Sequence, residues 1–472
     1  MTRAVLGAGL LLALALPLAG QGLVPNDPLY RSRGSWGQAY DDQWGLKRIG
    51  FTAMGAGTSA WDLETGASRP VVVAVIDSGL DYFHPDLKPE TVWRNDKEQP
   101  NGIDDDGNGY VDDLIGWNFV DGDNNPWDQT GHGTHVAGII AAASDNGEGI
   151  AGISRGARIM PLKVLNVLGR GRSTGIAEAV VYAVKHGARV INLSLGGQEL
   201  SRTERLAVDW AHQQGAVIVV AAGNVAQDTA GHGPAGLPNV LTVAASDPED
   251  KRAGFSNWGQ AVKLAAPGLE ILSLRARRTD FALVAGLKGY QAGQAFVGPE
   301  ARYYRASGTS FAAPFVSGVA SLLLAKNPTL TNVQVERMLL MSADDIDAPG
   351  WDPNTGAGRL NAAKALRADP DWYLLAQLRA LRPVREGGRT VLQVLGTVTG
   401  SELDGYVVEL GQGEKPERWK PIGAPQPAPV PEGVLGAVPA SEITAKGLWT
   451  VRVVARDKKG NRRESRASLN VQ

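Results

Sequence analysis

The sequence predicts an α/β domain, a mostly parallel, doubly wound sheet with helices on both faces, followed by a C-terminal antiparallel β-sandwich-like domain. Three observations carry this expectation. Between about Asp27 and Leu366, short apolar runs alternate with stretches of helical spacing. Those runs lack polar alternation, as strands do when a parallel sheet is covered on both faces by its crossover helices. After Leu366 apolar and polar residues alternate, the habit of antiparallel strands with one wet face.

Taken in order, Arg3, the apolar run Ala4 to Leu18 and the small residues Leu18-Ala19-Gly20 read as a signal peptide over 1–20. A membrane anchor is the alternative, but the run falls short of the about 20 apolar residues a span needs. Gln21 stands where lipid attachment would need Cys. The chain is therefore expected to be secreted, extracellular, periplasmic or at the cell surface, without membrane contact after cleavage. Residues 21–45 form an N-terminal extension and 46–366 the α/β domain. Within it Val71 to Ile76, Val190 to Leu195 and Ala216 to Ala222 are strands, and Thr174 to Lys185 is a helix ending before Gly187. Asp369-Pro370-Asp371 opens a linker over 367–388. Strands are then expected at Thr390 to Leu395, Tyr406 to Leu410 and Leu448 to Ala455, with a turn at Asp457 to Asn461 and alternating Ala467, Leu469 and Val471. Pro421 to Pro431 reads as a proline-rich loop within the domain 389–472.

Composition narrows the chemistry. With 43% apolar and 20% charged residues the chain is not disordered, and a net charge of -2 gives no reason to expect nucleic acid or an anionic membrane as partner. There is no cysteine, which removes disulfides, thiolate catalysis and zinc–thiolate sites. A secreted chain without disulfides must hold long loops by other means, and bound metal is the obvious one.

Four short segments can carry chemistry. Gly131-His132-Gly133-Thr134-His135-Val136-Ala137-Gly138 starts a helix, and its glycines let another backbone approach the imidazole. An incidental histidine on a capped helix, or an i,i+3 metal pair with His135, is the competing reading. Ser307-Gly308-Thr309-Ser310-Phe311-Ala312-Ala313-Pro314 opens a helix running to about Lys326. Ser310 there is either a plain N-cap or a nucleophile beside free N–H groups that stabilise an oxyanion. Ala312 occupies the position where a lipase-type nucleophile elbow needs glycine. Asp77 ends the first strong strand, and Asn224 ends another in Ala221-Ala222-Gly223-Asn224, where active-site groups of open parallel sheets lie.

Together the four segments, in the order Asp, His, Asn, Ser, resemble the subtilisin (subtilase) family over about Asp27 to Leu366, particularly its thermitase branch. The resemblance implies a serine endopeptidase with broad specificity for protein or peptide substrates, and a monomeric chain. It implies that Ser310 is the nucleophile, His132 the base and Asp77 the residue that holds the imidazole. Asn224 and the Ser310 backbone N–H would form the oxyanion hole. Ser194-Leu195-Gly196-Gly197 and Gly169-Arg170-Gly171 would be the two edges that pair with the substrate backbone. A catalytically silent binding module is the rival from another class; the complete set of catalytic residues favours the enzyme.

Calcium is the expected cofactor. Asp104, Asp106, Asn108 and Gly109 match positions 1, 3, 5 and 6 of a calcium loop, and Tyr110 could offer its carbonyl. Ile115 stands where the closing Glu belongs, so Asp112 or Asp113 must substitute; a solvated acidic turn is the alternative. The family resemblance implies a second site at Asp86, in His-Pro-Asp, and Asn146, with carbonyls near Ser144, Glu148 and Ile150. Asp27 or Gln43 would be its N-terminal ligand. Two departures from the family stand out. Only about six residues separate the signal from Asn26-Asp27, where relatives carry a long folding propeptide. Arg275 to Arg305 is an insertion that either shapes substrate access or is a plain surface loop.

Overall fold

The computed structural model describes residues 23–52, 58–277, 279 and 295–471. The expected signal peptide, and most of the insertion before the serine helix, lie outside the described residues.

Seven strands form the central sheet: β1 (Val71–Asp77), β2 (Trp117–Asn118), β3 (Ala157–Lys163), β4 (Val190–Leu193), β5 (Val217–Ala221), β6 (Leu241–Ser246) and β7 (Val262–Pro267). They lie in the order β2-β3-β1-β4-β5-β6-β7, and every pair is parallel. The continuous apolar runs are explained by the period of two. Val71, Val73, Val75, Val217 and Val219 face one core, whereas Ala74, Ile76, Ile191, Ile218 and Val220 face another. Helices α1 (His132–Ala141) and α4 (Thr309–Lys326) cover the first face; α2 (Ser173–Lys185) and α3 (Arg202–Gln213) cover the second. Within α4 only Ser310 and Lys326 escape full burial, so its all-round apolar character belongs to a core helix. The doubly wound arrangement brings Asp77, Val164, Ser194 and Asn224 to the carboxyl ends of adjacent strands, where such sheets bind ligands. A small antiparallel sheet, β8 (Ile271–Leu274), β9 (Phe296–Val297) and β10 (Tyr303–Ala306), precedes α4 in order β8-β10-β9.

The C-terminal region is a pair of antiparallel sheets. β11 (Leu374–Glu386), β12 (Arg389–Gly400) and β15 (Val430–Pro439) form one, in order β11-β12-β15. β14 (Lys420–Gln426), β13 (Leu403–Gln412), β16 (Gly447–Asp457) and β17 (Arg462–Val471) form the other, in order β14-β13-β16-β17. Leu374, Val394 and Val438 from the first meet Val408, Trp449 and Val451 from the second in a shared core. Two segments differ from expectation. The stretch read as a linker over 367–388 contains β11, leaving only residues 367–373 as the joint. The first half of β11 buries Leu374, Ala376 and Leu378, whereas its second half is exposed and carries Arg379, Arg382, Pro383 and Arg385. The proline-rich stretch 421–431 mostly contributes β14 and the start of β15. Both β11 and β14 are edge strands, the positions that tolerate proline because one row of backbone groups needs no partner.

The two domains are in contact. Trp351 N–H donates to Glu464 O at 3.0 Å and Ser465 Oγ to Trp351 O at 2.9 Å. Arg463 donates to Met341 O at 2.6 Å. The joint is tied down as well, with Trp372 Nε1 donating to Asp457 Oδ2 at 2.9 Å.

Candidate active site

Asp77 closes β1 and is fully buried. Its Oδ1 accepts from its neighbour Ser78 N–H and lies 2.7 Å from His132 Nδ1. Its Oδ2 is buried without a hydrogen-bond partner. The first turn of α1 is fixed by a residue that the sequence did not single out. Buried Asp128 accepts from Gly131 N–H at 2.8 Å, from Thr134 N–H at 2.9 Å and from Thr134 Oγ1 at 2.7 Å, satisfying free donors of the helix start. It also accepts from Ser78 Oγ at 2.9 Å, and that hydroxyl accepts from Gly133 N–H at 2.9 Å. The strand end and the helix start are thus one hydrogen-bonded unit.

Gly133 is where the two pack most tightly. A Cβ there would lie 2.2 Å from Gly79 O and 3.2 Å from the Asp77 Cβ. Gly133→Ala is expected to push α1 away from β1 and to lower kcat/KM by about 100-fold or more, the scale of a misplacement near 1 Å. Steady-state kinetics would check it, and wild-type values would sink it.

Burial alone would lower the basicity of His132, but the charge of Asp77, their hydrogen bond and the charge of Asp128 prevail, and its pKa is raised above the ordinary 6.5. His135, one turn on, is a different case. It is fully buried, its Nε2 lies 3.1 Å from both Ile271 O and Tyr304 O, and burial pushes its pKa down to about 3. A neutral ring held by two carbonyls is a core element, which disposes of the metal-pair reading.

Ser310 is the second residue of α4. Its hydroxyl donates to Ser194 O at 3.1 Å, and Ser194 Oγ donates to Ser310 O at 2.6 Å. No hydrogen bond joins Ser310 to His132 among the described residues. The next residue, Phe311, packs its ring 5.4 Å from that of His132. Asn224 lies across the pocket. Its Oδ1 accepts from Thr309 N–H at 2.8 Å and from Thr309 Oγ1 at 2.9 Å, and Thr309 Oγ1 accepts from Gly223 N–H at 3.0 Å. The amide oxygen is thereby spent, and the NH2 remains as the donor. Thr309 was part of the serine motif, yet nothing in the sequence marked it as the residue that orients Asn224.

A pocket of about 200 Å³ is lined by Gly196, Gly197, Asn224, His232, Asn257 and Ser310, among others. The two expected substrate edges differ in form. Residues 194–197 run out from β4, and Gly197 pairs with Gly233 through bonds of 2.7 and 3.1 Å. Gly169, Arg170 and Gly171 sit on an exposed turn that Asn166 closes, with Asn166 N–H donating to Arg170 O at 3.0 Å. Neither edge is a regular strand. From the start of the insertion, Arg277 grips buried Asp81 through Nε and Nη2, both at 2.9 Å.

The residues expected at one calcium site are brought together. Asp145 N–H donates to Asp27 Oδ2 at 2.9 Å, and Asn146 Nδ2 and Ile150 N–H donate to Asp86 at 2.7 and 3.0 Å. Asp27 and Asp86 are fully buried, and Asp27 Oδ1 has no partner. Burial raises the pKa of both, that of Asp86 to about 7, and each carboxylate's charge is a further cost to its neighbours. Gln43 is otherwise engaged, its amide bonded to both N–H and C=O of Ala151. Two buried carboxylates, one with an orphan oxygen, suit a hard cation.

The acidic loop is only partly as expected. Asp104 and Asp106 converge with Glu98, their carboxylate oxygens within 4.8 Å of one another. Asn108 N–H donates to both aspartates, at 3.0 and 3.1 Å. Asp112 and Asp113 point elsewhere. The left-handed backbone of Asp112 (φ 54°) turns its carboxylate onto the N–H groups of Asn101 and Gly102. Asp113 is drawn into the core by Asn95 Nδ2, Asn108 Nδ2 and the Tyr182 hydroxyl. The acid that completes the group, Glu98, precedes the loop, where a scan for the loop's closing position could not find it.

The sequence model of the subtilase family matches residues 68–358. The chain belongs to this family. It is a subtilisin-like serine peptidase. It is 34% identical over 345 residues to thermitase of Thermoactinomyces vulgaris, which covers 73% of this chain and 99% of thermitase. Identity to the thermophilic serine proteinase of Bacillus sp. (strain AK1) is 36%, covering 65% of this chain and 64% of that protein. Identity to an extracellular protease of Xanthomonas campestris is 34%, covering 75% of this chain and 60% of that one. Among solved structures, a protease of Pseudoalteromonas arctica superposes with a TM-score of 0.54 at 30% identity, covering 73% of this subtilase and 98% of the other chain. The family match ends before β11, so the C-terminal domain stands outside it.

Proposed function

We propose that this subtilase is a secreted, calcium-stabilised endopeptidase in which Asp77, His132 and Ser310 act as the triad and Asn224 as an oxyanion donor. The observation that carries the reading is the Asp77–His132 pair at 2.7 Å, its imidazole 5.4 Å from the ring of Phe311, which follows Ser310 at the start of a buried helix where Thr309 fixes the Asn224 amide. His132 Nε2 takes the Ser310 proton as Oγ bonds to the substrate carbonyl carbon. The resulting oxyanion is met by Asn224 Nδ2 and the Ser310 N–H. His132 then gives the proton to the departing amine, leaving an ester on Ser310. Water, deprotonated by His132, hydrolyses that ester and restores the serine. Asp77 keeps Nδ1 protonated, so that Nε2 presents its lone pair, and it stabilises the imidazolium.

Substrate would lie extended along residues 194–197 and against the 169–171 turn, read through its backbone before its side chains. Such reading supports broad specificity among proteins and peptides. Asp27, Asp86 and Asn146 would hold calcium at one site, and Glu98, Asp104 and Asp106 at the other; the ion would supply the positive charge that these clustered acids lack. Export is supported by the N-terminal sequence and by the name of the Xanthomonas relative, an extracellular protease. The monomeric state is part of the same proposal.

Catalysis requires neutral His132, and its raised pKa sets where that form appears. Activity should therefore rise with pH through a midpoint above the ordinary 6.5. Asp77→Asn should lower kcat by about 10⁴, since the wrong tautomer is then favoured. A pH–rate profile on a peptide amide checks both; kcat/KM unchanged between pH 5 and 8 would refute this role for His132. The direct test of the whole reading is casein hydrolysis by the purified protein, stopped by a serine-directed inhibitor. Failure to hydrolyse casein or peptides under calcium would end it.

A further inference from the structure

We propose that Asn257 is a positioning residue that aims the oxyanion donor Asn224, an inference that rests on the role just given to Asn224. The turn after β5 carries Asn224 and is an improbable one. Gly223 and Ala226 both have left-handed backbones, φ 104° and 53°. Ala226 is not glycine, and a strained turn of this kind persists only where its surroundings over-determine it. Asn257 supplies that determination from both sides of Asn224. Its backbone N–H donates to Gly223 O at 2.8 Å. Its side-chain oxygen accepts from Val225 N–H at 3.0 Å and from Gln227 N–H at 3.1 Å. The residues immediately before and after Asn224 are thus held by one side chain and its own backbone. Phe255 O, which accepts from Ala226 N–H at 2.9 Å, adds a further bond from the same segment.

The clamp is itself anchored. Asn257 is fully buried, and Ser256 Oγ bonds Asn257 O at 3.0 Å while accepting from Ala245 N–H of β6 at 3.1 Å. A rigid path therefore runs from the central sheet through residues 256 and 257 to the turn, and ends at the Asn224 amide that Thr309 grips from the opposite side. Asn257 also lines the pocket beside Asn224 and Ser310. Its Nδ2 is buried and has no hydrogen-bond partner, so within the side chain only the acceptor oxygen holds the turn.

This division of labour gives the test. Asn257→Ala removes the acceptor and lets the turn relax, so kcat should fall about tenfold or more while KM stays within about threefold, because the oxyanion forms only in the transition state. Asn257→Asp keeps an acceptor facing Val225 and Gln227 and should recover most of the lost kcat. The decisive measurement is the cycle with Asn224→Ala. Once the donor is gone, adding Asn257→Ala should change kcat by less than about twofold. Losses that multiply in the double variant, or Asn257→Asp as impaired as Asn257→Ala, would overturn the assignment. Should Asn257→Ala not fold, Asn257→Asp still decides, since a tenfold loss in a folded aspartate variant refutes it. A wild-type chain that hydrolyses no peptide overturns the underlying reading of Asn224; an active chain with multiplying losses overturns the clamp alone.

Discussion

Replacing Ser310 by alanine is expected to lower kcat for peptide hydrolysis by about 10⁶ while leaving the fold and its melting temperature nearly unchanged. The magnitude is the one established for the nucleophile of subtilisin itself, so it is a family figure. The physical ground lies in where the hydroxyl sits. Ser310 is half-buried at the start of a helix whose remaining surface is core, and its Oγ makes one bond, to Ser194 O. Losing that bond costs about 1 kcal/mol. Loss of covalent catalysis thus far outweighs loss of stability. Circular dichroism together with a peptide assay separates the two, and residual activity above about 1% would remove Ser310 from the mechanism.

Calcium removal should have the largest effect on stability. An ion bound only by the folded chain stabilises it by about 4 kcal/mol at a thousand times its Kd. At about 1.5 °C of melting temperature per kcal/mol, from roughly 2.1 cal/mol/K of unfolding entropy per residue over a domain of this size, chelation should cost about 6 °C. The pH dependence follows from the buried acids. Asp86 and Asp27 have folded pKa values above their unfolded ones, raised first by burial. Without metal they therefore favour the fold when protonated. That contribution is complete below about pH 4 and is lost as pH rises through about 7, the value for Asp86. Metal competes with those protons and gains affinity as they leave. The gap between calcium and chelator should accordingly widen from pH 5 to pH 8. Asp27→Asn should abolish the part of the calcium–chelator gap that belongs to this site and leave only what the Glu98 group contributes, which separates the two. Identical wild-type curves at pH 8, or a gap that narrows with pH, would count against calcium at Asp27 and Asp86.

The parts of the site legible in the sequence are those whose chemistry is written locally. Asp77 follows six apolar residues, His132 and Ser310 sit in short glycine-bounded motifs, and the strands that present them have an unmistakable period. What could not be read depends on partners remote in the chain. Thr309 orients Asn224 across 85 positions, and Asn257 holds Val225 across 32. Neither role leaves a local trace, because a buried Thr or Asn looks the same whatever it bonds. Asp128 was hidden differently, lying in a polar loop just ahead of the histidine helix, where it passes for a solvated residue. Edge strands were the weak point of the fold reading. Arginine and proline in β11 and β14 mimic a linker and a loop, since an edge is solvated along one side and obeys the composition of loops.

The tied joint between the domains has a consequence for the life of the molecule. At high concentration a peptidase meets copies of itself more often than anything else, and its groove takes chain that can be drawn out straight. Residues 367–373 would be the natural cut, but Trp372 is pinned to Asp457, and β11 begins at once. A short, fastened hinge gives a neighbouring copy little to pull on. Few residues between the two domains are left free to straighten into an extended segment.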